Sequence, residues 1–117
     1  MPNIVFTSKV YVCHIQAVNV LTDAKGFEWD AGNARKSADK HHVSQAEAEQ
    51  VFFNQPLLLL PDDRHRQEEI RLHALGRTGD TRFLHATFTL RGGGRLIRVI
   101  SARDMHRKER ARYEQDT

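Results

Sequence analysis

The chain has 117 residues, a length that suits one domain with a modest core. Hydrophobic residues make up 39% and charged residues 28%, with no apolar run long enough for a membrane-spanning helix, so no membrane association is expected. A single cysteine, Cys13, excludes an internal disulfide and a thiolate metal cluster, and it fits a reducing compartment such as the cytoplasm.

Residues 1–26 hold two strand candidates, Ile4-Val5-Phe6 and Val10-Tyr11-Val12, and a stretch from Ile15 to Leu21 that suits strand or short helix. Ser8, Lys9, His14, Gln16 and Asn19 interrupt the apolar block that a signal peptide requires. Thr22 to Gly26 reads as a turn. These residues are taken as an N-terminal extension ahead of a domain spanning 27–117.

That domain opens with a short strand at Phe27-Glu28-Trp29, and Asp30 is the expected N-cap of a helix through about Lys40. His41-His42-Val43 breaks the pattern. Ser44-Gln45-Ala46-Glu47 is a capping box, so a second helix starts there with Ala48, Val51 and Phe52 on its apolar face. Leu57 to Leu60 forms a buried strand stopped by Pro61, and Asp62 to Gln67 a charged loop. Ile70 to Leu75 and Arg82 to Leu90 alternate as strands, separated by a turn around Gly79. Arg91-Gly92-Gly93-Gly94 turns into a third strand, Arg95 to Ser101, and a basic helix follows with Asp104 as its expected N-cap. The predicted fold class is α+β: two N-terminal helices packed on an antiparallel meander, then a C-terminal basic helix.

Register turns this order into geometry. Hairpins centred on Gly79 and Gly93 set His73 opposite His85 and His85 opposite Ser101, and such pairs share a face. Arg71, His73, His85, Ser101 and Arg103 would then share one side of the sheet. Ile70, Leu72, Ala74, Leu84, Ala86, Phe88, Leu96 and Ile100 would share the other, with Arg98 falling on that helix side, so that it either bulges or snorkels at an edge. Residues 91–117 hold eight Lys/Arg against four Asp/Glu, while 27–90 hold eight against ten. A basic end suits a polyanion, because each neutralised phosphate releases counterions; the plainer reading is a solvated helix face.

Phe27-Glu28-Trp29-Asp30, Lys40-His41 with Val43, Leu75-Gly76-Arg77, Arg98-Val99-Ile100-Ser101-Ala102-Arg103, and Arg107-Lys108-Glu109-Arg110 with Tyr113 together resemble the BrnT family. Members are toxin components of type II toxin–antitoxin pairs. The resemblance runs from about residue 27 to 114 and implies a RelE-like fold and a ribonuclease that stops translation. It also implies a BrnA-type antitoxin as partner, which would contact operator DNA when the pair represses its own operon. His42 stands where the family usually has Gly, and residues 1–26 have no counterpart.

RNA cleavage without a metal needs a base for the 2′-hydroxyl proton, cations for the phosphorane and an acid for the leaving oxygen. Arg71 and Arg103 suit the second task, since a guanidinium stays charged and can hold phosphate through two donors. Ser101 can position a phosphate oxygen or the 2′-hydroxyl, or cap the following helix. His41, from the Lys-His pair of the resemblance, and Glu109 are the acid–base candidates, with His73 and His85 resting on register alone. Lys40, Arg98, Arg107, Lys108 and Arg110 are candidate RNA phosphate contacts. No HExxH spacing occurs, and Gly92-Gly93-Gly94 lacks the Lys-Ser/Thr of a phosphate-binding loop, so neither metal nor cofactor is expected. The competing readings are a catalytically inactive partner- or RNA-binding module acting in autorepression, and a stand-alone single-strand RNA binder. The latter would need more exposed aromatics on the sheet than Phe83.

Overall fold

A computed structural model describes residues 10–12, 21–62 and 70–117. The expected strand at 4–6, the segment 15–20 and the charged loop 63–67 lie outside these residues, as does Cys13. In chain order the elements are β1 (Val10–Val12), β2 (Gly26–Phe27), α1 (Lys36–His41), α2 (Gln45–Phe53), β3 (Leu57–Pro61), β4 (Arg71–Arg77), β5 (Phe83–Arg91), β6 (Leu96–Asp104) and α3 (Arg107–Asp116). No helix among the described residues is long and apolar enough to cross a membrane.

Strands β3 to β6 form the antiparallel meander, but the sheet is larger than the sequence implied and is mixed. Its order is β1-β3-β4-β5-β6-β2, and both edge strands pair in parallel, β1 with β3 and β2 with β6. Val10–Val12 is a strand as expected and the strand expected at Phe27 begins at Gly26, but segments this short do not reveal partners that lie far along the chain. Leu21 and Ala24 are buried with the core residues of the meander.

The helix expected from Asp30 begins instead at Lys36. Local side-chain bonds hold the intervening residues in turns. The Asp30 carboxylate accepts from Gly32 N–H at 2.8 Å, and Asn33 Oδ1 accepts from Asp30 N–H at 2.8 Å. The buried Asn33 amide donates to the Glu28 and Val99 carbonyls at 3.1 and 2.8 Å, tying the loop to β6. Such bonds compete with helical ones, which is why Asn and Asp favour turns. Trp29 lies outside any strand, and its indole N–H donates to Glu49 Oε2 of α2 at 2.7 Å. His42 ends α1 in the left-handed conformation, φ 57°, a backbone that glycine adopts most readily.

The second helix starts as expected. Ser44 Oγ accepts from Glu47 N–H, and Glu47 reaches back to Ser44 N–H, both at 3.1 Å. Its buried Ala48, Val51 and Phe52 pack on the sheet with Leu57, Leu59, Ala74, Leu84, Ala86 and Phe88. Phe52 meets Phe88 edge-on, with ring centroids 5.1 Å apart. Gly76 permits that approach, since a Cβ there would lie 2.9 Å from Val51 Cγ1 and 3.1 Å from its carbonyl oxygen. The opposite side of the sheet carries a smaller apolar group, Leu58, Leu75 and Tyr113, with Leu60, Phe83 and Met105 against it, and α3 lies there. The sheet is therefore covered on both faces.

Register differs from expectation in two ways. The β4–β5 pairs are displaced by two residues, so His73 faces Thr87, Leu75 faces His85 and Arg71 faces Thr89. A displacement of two keeps every residue on its expected side. In β6 a β-bulge intervenes: Thr87 faces Ser101, but Phe88 faces Val99, leaving Ile100 as the extra residue. Ile97 and Val99 are thus the fully buried residues on the α2 side, not Leu96 and Ile100. Ile70, expected in the same layer, precedes β4 and is 72% exposed.

β6 also runs on to Asp104, so that residue does not cap α3. His106 occupies the N-cap position, and its N–H donates to the Glu109 carboxylate at 2.8 Å.

Candidate functional site

Because the bulge returns Ser101 and Arg103 to the side facing α3, one face of the sheet gathers chemically capable side chains. Arg103 pairs with His85, and Ser101 with Thr87, which itself pairs with His73. Helix α3 is seated by Tyr113, whose buried ring lies edge-on to Phe83 and whose hydroxyl donates to the Pro56 carbonyl at 2.6 Å. Glu109 lies one helical turn before Tyr113 and so points at the same surface.

The result is a continuous polar chain. Arg103 Nη1 and Nη2 donate to the two carboxylate oxygens of Glu109 at 2.8 and 2.9 Å. Nη1 also reaches the Asp104 carbonyl at 3.0 Å, and Nη2 lies 2.8 Å from His85 Nδ1. His85 Nε2 lies 2.8 Å from His73 Nδ1, which is also 3.1 Å from Thr87 Oγ1. His73 Nε2 ends the chain 3.3 Å from Asp62 Oδ2. All these groups are largely shielded, with side-chain exposure of 7% for Asp62, 12% for His85 and 26% for Arg103.

Shielding decides the charge states. Burial, helped by the Arg103 cation and opposed by Glu109, pushes the His85 imidazole down to about 4. Burial also lowers His73, against the attraction of Asp62. For Glu109 burial works against ionisation but is outweighed by the Arg103 bonds and the His106 N–H, which hold its carboxyl at about 2. Near neutral pH the site therefore contains one guanidinium, an ionised Glu109 and two uncharged imidazoles.

The other expected residues are distributed around this cluster. Arg71 shares its face but sits level with Thr89, four residues along β5 from His85, or about 13 Å. Arg98 is engaged by Glu28 and Asp30 at 2.9 and 2.8 Å, on the β6 segment before the bulge. His41 is held by its carbonyl, which accepts from Arg82 Nη2 at 3.4 Å, while the same guanidinium grips Asp104 and Glu47. That places His41 at the sheet end where β6 finishes, outside the Arg103–His85 cluster. Lys40, Arg107 and Lys108 are exposed. Arg110 stacks on the Phe83 ring at 3.7 Å and pairs with Glu114 at 3.1 Å. Asp62, His73 and His85 complete the constellation. Parity of the alternating strands placed the two histidines together, whereas nothing local in the sequence points to Asp62.

No curated protein matches the chain. A family model described as the ribonuclease toxin BrnT of type II toxin–antitoxin systems matches residues 29–109, from the indole that docks α2 to the carboxylate that holds Arg103. The chain belongs to the BrnT family of ribonuclease toxins.

Proposed function

We propose that this chain is a metal-independent endoribonuclease of 27–117 with an N-terminal extension, that its layout is RelE-like, and that it inhibits translation by cleaving RNA in the cytoplasm. The observation that carries the reading is the Arg103 guanidinium, fixed by Glu109 beside an uncharged imidazole where β6 gives way to α3. A preorganised cation there stabilises the charge that builds on a phosphorane. Ser101, one register step away, orients a phosphate oxygen. Arg71 meets a phosphate farther along the same face, and Lys40, Arg98, Arg107, Lys108 and Arg110 supply longer-range attraction. Glu109 and His41 remain acid–base candidates beside the two buried histidines.

A cognate BrnA-type antitoxin neutralises the toxin by covering this basic face, and the pair autoregulates its operon, with operator DNA contacted by the antitoxin. The second reading is a catalytically inactive module that binds RNA or its partner. It is favoured by one observation: the Nη donors of Arg103 are directed at Glu109, Asp104 and His85 within the protein. The deciding experiment incubates purified protein with a short RNA in EDTA. Cleavage products ending in a cyclic phosphate, lost in Arg103→Ala, support the enzyme; intact RNA bound in a salt-sensitive manner supports the inactive module.

A further inference from the structure

The chain of contacts from Asp62 to Glu109 contains more links than its two uncharged rings have protons. Three links join carboxylate to carboxylate: Asp62 to His73 Nε2, His73 Nδ1 to His85 Nε2, and His85 Nδ1 to Glu109. Two neutral imidazoles bring two N–H groups, so one link is bare. Arg103 decides which. Its Nη2 stands 2.8 Å from His85 Nδ1 and can only donate, so that nitrogen presents its lone pair. His85 then carries its hydrogen on Nε2 and donates to His73 Nδ1. His73 in turn carries its hydrogen on Nε2 and donates to Asp62, whose carboxylate is 7% exposed. In this tautomer Glu109 Oε2, 2.7 Å from His85 Nδ1, is a second acceptor, and the Arg103 Nη2 cation within 2.9 Å of both offsets their repulsion.

We propose that His85 is the proton acceptor of this site, and that Asp62 and His73 are positioning residues that fix which nitrogen of His85 is bare. The assignment rests on the ribonuclease reading above. When an RNA phosphate takes the Arg103 Nη2 hydrogen, the Nδ1 lone pair is uncovered beside the scissile group. The 2′-hydroxyl proton passes to Nδ1 as the 2′-oxygen bonds to phosphorus. The bond from phosphorus to the 5′-oxygen then breaks, and the same proton is delivered to that oxygen. No further reactant is consumed. The phosphate's charge also offsets the Arg103 cation that opposes protonation of the ring, so proton affinity rises as substrate arrives. Among the described residues, the charged and titratable groups facing the two rings are Asp62 after β3, Arg103 on β6 and Glu109 on α3.

The test joins a tautomer measurement to a rate. In the full chain with ¹⁵N-labelled histidine at pH 7, NMR should find His85 bare at Nδ1 and protonated at Nε2. Asp62→Asn, whose amide can donate to His73 Nε2, should reverse both rings and slow cleavage of a short RNA at least tenfold while the fold persists. His85→Asn should slow it on the order of 100-fold or more. A wild-type His85 protonated at Nδ1 overturns the inference, whether or not any variant folds. So does a His85→Asn variant that cleaves normally while Arg103→Ala is inactive, an outcome that leaves the ribonuclease reading intact. Wild-type protein that leaves RNA uncut overturns both.

Discussion

Arg103 and Glu109 meet through two parallel N–H···O contacts of 2.8 and 2.9 Å, one partner at the end of β6 and the other in the first turn of α3. The pair closes the sheet–helix junction, and Glu109 simultaneously accepts from the His106 N–H at 2.8 Å. Removing either partner leaves the other charge part-buried without its counter-ion. Arg103→Ala is therefore expected to abolish growth arrest on overproduction and to lower stability by about 1–3 kcal/mol, measured by urea denaturation. Retained toxicity with the fold intact would remove Arg103 from the chemistry.

Acid should weaken the fold in two stages. His85 titrates near 4 in the folded chain against an ordinary 6.5, so the unfolded chain binds more protons between those values. Stability is full above about pH 6.5 and falls as pH drops toward 4, by about 3 kcal/mol if the whole shift is expressed. Glu109, held at about 2 against an ordinary 4.5, adds a second loss below pH 4.5. Thermal melts from pH 7.5 to 3 would show both, and His85→Asn should shrink the upper stage, leaving the part contributed by His73, which burial also lowers. A melting temperature independent of pH between 6.5 and 4.5 would contradict the buried neutral imidazole.

Asn33 carries more than its loop position suggests. Its amide satisfies two carbonyls, those of Glu28 and Val99, and Oδ1 accepts from Asp30 N–H. Asn33→Ala would leave these groups without partners in a site only 5% exposed. A loss of about 1–3 kcal/mol is expected, the cost of one stranded buried group, because the Val99 carbonyl bond is the buried one and the other two groups lie nearer water. Calorimetry decides it, with a cost below about 0.5 kcal/mol excluding the role.

Exposed cations of α3 should behave differently from Arg103. Arg107→Ala and Lys108→Ala are expected to leave stability within about 0.5 kcal/mol, as surface substitutions do. Each should reduce the dependence of log affinity for single-stranded RNA on log salt by about 0.7. Unchanged salt slopes would move RNA off this helix.

Much of this surface was legible from sequence for reasons that can be named. Ser44 and Glu47 define a cap whose partners are three residues apart, so nothing distant can spoil it. His73 and His85 landed on one face although the hairpin slipped, because a slip of two preserves side. What escaped depends on distant contacts. The start of α1 was displaced by an Asn33 amide that bonds across to Val99, 66 residues away. Val10–Val12 was readable as a strand, but its parallel pairing with β3, and that of β2 with β6, joins segments far apart in the chain. Asp62 acquires meaning only once β4 brings His73 beside it.

The extra residue at Ile100 lets a single strand serve two masters. Upstream of it, odd positions Ile97 and Val99 are sealed against the helical layer; downstream, odd positions Ser101 and Arg103 face the opposite way. A perfectly regular strand would have to choose, either driving a guanidinium into the oily interior or turning valine and isoleucine outward. The backbone irregularity thus couples architecture to reactivity: it absorbs the one residue by which the two parities differ, so that each half of the strand keeps its own face.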